Sequence, residues 1–192
     1  MSARRRLALA AAGLVVVAVA LFLVVRHGKQ DPALTASTSY DELSTHKSGG
    51  ETLANALVYL HNRSGKPITL QGASVKTTGR APRTFRFLVA GPGRTDDVQG
   101  GVQEQCPPSF FKAQAIKPVS GFRLEPDSTA AGREGAVLIT CFRVPDAPSR
   151  FRFTEMTVTY LQDGKRRTTT FPNRFAVCSA PGGKCDPDQG GL

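Results

Sequence analysis

The sequence has no tryptophan, only two methionines and four cysteines, and it lacks the common signatures of enzymes. No two cysteines are spaced as Cys-x-x-Cys, the usual pattern of redox pairs and many zinc sites. The patterns Gly-x-Ser-x-Gly, His-Glu-x-x-His and Gly-x-x-x-x-Gly-Lys, typical of hydrolases, zinc proteases and phosphate loops, do not occur. We therefore predict that the protein is not an enzyme and needs neither a cofactor nor a metal.

Acidic residues are missing from the N-terminal region, where no Asp or Glu precedes Asp31. Three arginines at positions 4–6 are followed by nineteen uncharged residues, Leu7 to Val25, and then by Arg26 and Lys29. As a helix this run is about 28 Å long, close to the ~30 Å hydrocarbon core of a bilayer. It is longer than the apolar part of a cleaved signal and lacks a good cleavage site. Residues 1–29 are thus predicted to be a signal anchor with a transmembrane helix over 7–25.

The flanking charges predict the orientation of this single span. The three arginines before the helix outnumber the two bases after it, so the N-terminus is expected inside and the domain outside the cytoplasm. The even number of cysteines fits an oxidising compartment. We therefore place the protein at the cell membrane, single-pass, with an extracytoplasmic domain.

The rest of the chain has β patterns and no convincing helical period. Residues 30–50 are predicted to be a flexible linker, 51–180 a β domain and 181–192 a loose tail. Turns at 63–67 and at Asp163-Gly164 separate alternating apolar runs, and Gly72 indicates a bulge. Strands are also predicted at 85–89, 136–144, 150–161, 165–171 and 175–178. Seven or eight strands favour a single antiparallel β-sandwich. Its predicted core contains Val58, Leu60, Ile68, Leu70, Phe87, Leu138, Ile139, Val158 and Tyr160.

One stretch carries a family resemblance. The residues Asn62-Arg63-Ser64-Gly65-Lys66-Pro67-Ile68-Thr69-Leu70 resemble the first hairpin of small immunoglobulin-like domains in bacterial envelope proteins. The stretch from Phe122 to Val158-Thr159-Tyr160 is similar to their second half. The resemblance implies an immunoglobulin-like fold in the cell envelope, but it supplies no active site.

The cysteines Cys106, Cys141, Cys178 and Cys185 allow three pairings. We favour Cys106–Cys141, which would attach a long loop to a central strand, and Cys178–Cys185, which would close a small C-terminal ring. The three histidines, His27, His46 and His61, are scattered, and no second ligand or base lies at a recognisable spacing from any of them.

The charge pattern is the strongest functional signal. Residues 52–95 contain no acid and seven bases. Six of them are candidates for a face that contacts an anionic partner: Arg63, Lys66, Lys76, Arg80, Arg83 and Arg86. A second basic cluster surrounds the Asp163-Gly164 turn. The alternative explanation is that these bases only solubilise the domain and protect its sheet edges.

These observations predict a non-enzymatic binding or scaffolding module. Its expected partners are the membrane and another envelope protein, an anionic wall polymer or a lipid headgroup, but not nucleic acid. The alternative function is an accessory sensor or carrier that binds a small ligand between the sheets or in the 91–125 loop.

Overall fold

The computed structural model describes residues 33–38, 43–91, 102–109, 111, 116–127, 135–146 and 149–179. The chain divides into two units, Met1–Pro32 and Ala33–Leu192, and all described residues belong to the second. Within these ranges, no helix is long and apolar enough to span a bilayer. The predicted transmembrane helix at 7–25 and the tail at 181–192 lie outside the described residues and stay predictions.

The described part of the chain contains eleven strands. They are β1 (Leu34–Thr38), β2 (Leu43–His46), β3 (Thr52–Asn62), β4 (Ile68–Gly79), β5 (Arg86–Ala90), β6 (Val102–Gln103), β7 (Ile116–Pro118), β8 (Arg123–Leu124), β9 (Ala136–Arg143), β10 (Arg150–Gln162) and β11 (Lys165–Cys178).

The strands form two sheets. In the first, the order is β1-β3-β9-β5-β7, with β6 also paired to β3; in the second, it is β2-β11-β10-β4-β8. Almost all neighbours are antiparallel, but β2 runs parallel to β11, with Phe175 opposite Leu43. The prediction of a two-layer β-sandwich is thus confirmed, and the prediction that it is purely antiparallel is wrong at this edge.

The expected flexible linker is wrong for residues 34–38 and 43–46, which form strands β1 and β2. Both strands lie at sheet edges. An edge strand can be rich in Ser and Thr and needs no apolar alternation, so the sequence of this region did not indicate strands. The C-terminal boundary of the predicted return strand also differs. Residues 165–178 form one strand, β11. Pro172 still pairs with Glu155, and the register then shifts before Phe175 pairs with Phe153, so Asn173 lies in a bulge that does not end the strand.

Local turn chemistry is as predicted. Asp163 and Gly164 have φ angles of 49° and 73°, and these left-handed conformations are those that a type I′ turn requires. The register between β10 and β4 shifts where Tyr160 pairs with Leu70 and Thr159 with Gly72, which is the bulge expected at Gly72.

The space between the sheets is filled by apolar side chains. Of the predicted core residues, Phe87 is only half-buried and the others are buried. One end of the interior is a cluster of phenylalanine rings, in which Phe142 lies 5.7 Å from Phe151 and 5.4 Å from Phe153. Such edge-on ring pairs add about 0.5–1.5 kcal/mol each to the burial of apolar surface.

A second apolar cluster lies on the outer face of the first sheet. The predicted core residue Ile139 belongs to it, together with Cys141 and Leu88. The disulfide between Cys106 and Cys141 holds the 102–109 loop over this face. The first predicted pairing is confirmed, and so is its role, because β9 is the central strand of the sheet. Cys178 is also disulfide-bonded, while its predicted partner Cys185 lies outside the described residues.

Candidate anion-binding site at one end of the sandwich

The structure separates the six predicted basic residues along strand β4. Arg63 and Lys66 lie in the turn before this strand, Lys76 lies within it, and Arg80, Arg83 and Arg86 follow it. Eleven residue steps of ~3.3 Å make β4 about 36 Å long. The six bases therefore do not form one patch, and only the last three are neighbours in the chain at one end of the sandwich.

The first three bases are neutralised by ion pairs. Arg63 lies 3.7 Å from Asp127, Lys66 lies 3.0 Å from Asp163, and Lys76 lies 3.4 Å from Glu155. All three cations are exposed, so each pair contributes about 0–1 kcal/mol. The pairs nevertheless cancel the local positive charge.

The last three bases have no such partner. Among the described residues, no acid lies within ion-pair distance of Arg80, Arg83 or Arg86, and all three side chains are exposed. The described residues at this end of the domain therefore leave the charges of these three arginines uncompensated.

A pocket lies beside these arginines. Its volume is about 440 Å³, and it is bordered by residues 80–84 and 143–146. Arg80, Arg83 and Arg143 contribute three guanidinium groups, against the single carboxylate of Asp146, which lies 3.2 Å from Arg143. We call this site the arginine pocket.

Backbone hydrogen bonds position both walls of the arginine pocket. Gly79 has a φ of 79°, and a Cβ at this position would collide with the carbonyl oxygen of Arg150. This close approach lets the Arg80 N–H donate to the same carbonyl at 3.0 Å. The opposite wall is held by the Val144 N–H, which donates to the carbonyl of Glu51 at 2.8 Å.

The chemistry of the arginine pocket favours oxyanions. A guanidinium group keeps its charge at all physiological pH values, and its planar donors match carboxylate and phosphate oxygens. Sequence reasoning missed Arg143, since it stands alone after an apolar strand. Only the packing of the 143–146 loop against the 80–84 loop places it here.

A second group of polar residues lies at the other end of the domain. The Ser37 hydroxyl is 2.9 Å from Nε2 of His61, and Nδ1 of His61 is 3.1 Å from Oδ2 of Asp127. Sequence reasoning missed this contact because Ser37 lies in the predicted linker. The order of groups is that of a Ser–His–Asp relay, but a serine nucleophile also needs a substrate pocket and oxyanion donors. Neither of the two pockets described is lined by these residues.

We assign these contacts a structural role. Asp127 also accepts a hydrogen bond from the Asn62 N–H at 3.2 Å and lies next to Arg63. Together the contacts tie the edge strand β1 and the 125–127 segment to the end of β3. Within the described ranges, no group of three or more His, Cys, Asp or Glu side chains is arranged to hold a metal ion.

A smaller pocket of about 320 Å³ lies between Lys47 and residues 102–105. Lys47 donates a 2.5 Å hydrogen bond to Glu104. This bond, followed by the positive charge of Lys47, lowers the pKa of Glu104 below its ordinary value. The pair attaches the disulfide-bonded loop to the end of β2, so we regard it as structural.

Comparison with known proteins finds only distant structural similarities. No family model and no curated protein sequence matches the chain. Among solved structures, the ASH/PapD-like domain 7 of human CEP192 is similar with 14% identity and a TM-score of 0.39, over 79% of this chain and 90% of that one. The GAE domain of GGA2p from Saccharomyces cerevisiae is similar with 10% identity and a TM-score of 0.26, over 76% and 93% of the two chains.

These two solved structures are similar to the chain only at low identity and low TM-score. At these scores and identities they say nothing about ligands or partners of this chain. The bacterial envelope setting and the membrane anchor likewise stay predictions.

Proposed function

We propose that the chain is a membrane-tethered, extracytoplasmic β-sandwich that acts as a non-enzymatic binding module in the cell envelope. The arginine pocket is its contact site, and it holds an anionic group of the partner. The observation that supports this proposal is that Arg80, Arg83 and Arg86 have no acidic partner among the described residues and lie beside a pocket that also contains Arg143. Earlier in the same chain segment, Arg63, Lys66 and Lys76 each have an acidic partner close by.

The site favours a partner with phosphate or carboxylate groups over a neutral one. Exposed charges act over roughly 8–10 Å at physiological ionic strength, so binding is expected to be weak and salt-sensitive. A small anionic ligand would also fit, because pockets for such ligands have volumes of about 300–1,000 Å³. The phenylalanine rings around Phe142 fill one end of the space between the sheets. A carrier would therefore bind its ligand in the arginine pocket and not between the sheets.

The test is binding by the full-length chain in nanodiscs of neutral phosphatidylcholine. The probes are poly(glycerol phosphate), vesicles with phosphatidylglycerol, poly-glutamate and inorganic phosphate, which separate polymer, lipid, carboxylate and small-ligand sources of the same charge. A variant with Arg80→Gln, Arg83→Gln and Arg86→Gln should bind about tenfold more weakly, as expected for the loss of two or three exposed ionic contacts.

The matched control carries the same loss of charge at the opposite end of the domain: Lys165→Gln, Arg166→Gln and Arg167→Gln. This control should keep most of its affinity. An equal loss in both variants would mean that binding depends on net charge alone. Binding that neither salt nor the arginine variant changes would reject the arginine pocket as the contact site.

A further inference from the structure

Strand β4 has an open edge. One side of the strand pairs with β10 almost along its whole length. The other side pairs with β8 at Ile68 and Thr69 only, and Leu70 then exchanges two 2.8 Å backbone hydrogen bonds with residues 121–122. From Gln71 to Gly79, no strand within the described ranges pairs with this side. The other edge strands, β1, β2, β7 and β8, have only five, four, three and two residues.

The inward-facing side chains of β4 are more exposed beyond Leu70, where β8 and residues 121–122 no longer lie beside the strand. The inward-facing side chains of Ile68 and Leu70, which lie under β8 and residues 121–122, are 1% and 0% exposed. The next inward-facing residues, Ala73 and Val75, pair with the buried residues Val158 and Met156, yet they are only half-buried themselves. The interior of the sandwich is therefore incompletely covered beside the open edge.

Strand β5 of the opposite sheet continues this apolar surface. Phe87 on β5 and Phe85 just before it are half-buried, and their ring centroids are 6.5 Å apart. Phe87 packs against one core cluster and Phe85 against the other, and Val75 packs against both. Phe122 is half-buried as well. We call Ala73, Val75, Phe85, Phe87 and Phe122 the apolar seam.

The backbone of β4 presents hydrogen-bonding groups at this edge. Leu70 directs both its N–H and its C=O away from β10 while its side chain points inward. Backbone groups alternate along a strand in step with side chains, so Ala73 and Val75 direct theirs to the open edge as well. Protected edges usually carry proline, several lysines or short strands. Here the stretch from Gln71 to Gly79 has no proline and one lysine, Lys76.

The charges around the edge indicate what kind of chain would pair with it. Lys76 on β4 is paired with Glu155, but Arg80 and Arg83, which follow the strand, have no acidic partner among the described residues. A second copy of this protein would bring its own bases to the same edge, and like charges disfavour such a dimer. An acidic segment would be attracted instead.

We propose that the open edge of β4 receives an extended acidic segment of a partner protein, which adds to the second sheet as a further strand. Its apolar residues cover the seam, and its alternating Asp or Glu residues face the arginine end. Backbone hydrogen bonds supply affinity, and the alternating side chains supply specificity. This inference rests on the proposed binding function and names the class of partner.

The test uses the full-length chain in neutral nanodiscs and a peptide of about ten residues that alternates Val and Glu, long enough to pair along the edge. Amide hydrogen exchange should slow within residues 71–79 when the peptide is added. A peptide with the same residues arranged as one Val block and one Glu block should give no such protection. The variant Ala73→Pro, which removes an N–H only from the open side, should weaken binding about tenfold.

Hydrogen exchange of the β10 and β11 amides shows whether the Ala73→Pro variant is folded. If the variant is unfolded, comparing the alternating and block peptides on the wild-type protein still tests strand addition. Protection outside β4, or equal binding of the block peptide, would overturn strand addition. If strand addition is overturned in this way while poly-glutamate or poly(glycerol phosphate) binds and the binding depends on the arginines, only this inference fails and the proposed function stands. If no anionic probe binds at all, the proposed function fails with it.

Discussion

Asn62 and Asn173 are both buried, but their side-chain amides have opposite surroundings. Asn62 is 1% exposed; its Nδ2 donates to the carbonyls of Lys66 and Leu124, both at 2.9 Å, and its Oδ1 accepts from Ser64. Asn173 is 0% exposed and has no hydrogen-bond partner within the described ranges. Asn62 is also the acceptor position of an Asn-x-Ser sequon, and its burial leaves no room for a glycan in the folded domain.

This contrast predicts opposite effects of the same substitution. Asn62→Ala should lower the free energy of unfolding by about 2–4 kcal/mol, because it removes the buried donor to the Leu124 carbonyl and the bonds that Asn62 makes with Ser64 and Lys66. Asn173→Ala should be neutral or stabilising, since it removes an amide that is already unsatisfied and leaves only a small cavity. Urea denaturation of the full-length chain, followed by tyrosine fluorescence, measures both. Equal destabilisation by the two substitutions would contradict the assigned hydrogen bonds.

At the scale of elements, the edges of the sandwich are attached by a few specific contacts. The disulfide Cys106–Cys141 holds the 102–109 loop to β9, and the Lys47–Glu104 pair holds the same loop to the end of β2. Neither β2 nor this loop has a strong apolar pattern of its own. Their positions therefore depend on contacts between residues that are distant in sequence.

The Lys47–Glu104 pair predicts a small pH dependence. The pKa of Glu104 is lowered in the folded chain, so the contribution of this carboxylate to stability is present above its ordinary pKa of 4.5 and is lost as pH falls through the lower folded value. Melting temperatures measured from neutral to acidic pH should therefore converge for the wild type and Glu104→Gln at the acidic end. The effect should shrink in high salt because Glu104 is exposed. A constant difference at every pH would mean that the charge of Glu104 has no part in the contact.

At the scale of the whole molecule, the orientation in the membrane stays a prediction that the charges around residues 7–25 support. A phosphatase fused behind Leu192 should be active, and a fluorescent protein that folds only in the cytoplasm should be dark there. Replacing Arg4, Arg5 and Arg6 by Gln should reduce this bias, because these residues hold the N-terminus inside. A bright fluorescent fusion would place the domain in the cytoplasm.

The sequence by itself determined the local features of the domain. The Asp163-Gly164 turn, the bulge at Gly72, the strands around Phe85–Val89 and Ala136–Val144, and most of the core followed from alternation and turn chemistry, which act between near neighbours. The Cys106–Cys141 pairing was also correctly predicted, although two other pairings were open. Apart from the disulfide, these features depend on a few adjacent residues, so one sequence is enough to infer them.

Tertiary structure decided how these parts meet. The strands at 34–38 and 43–46 could not be inferred, because an edge strand needs only one pairing partner and no apolar alternation. The six bases looked like one face in the sequence, but a strand of about 36 Å separates Arg63 and Lys66 from Arg80 and Arg83. The approach of Arg143 to those arginines and the half-buried state of Val75 both depend on which distant segments pack beside them. Such long-range packing leaves no periodic signal in the chain, so only the folded domain reveals the arginine pocket and the open edge of β4.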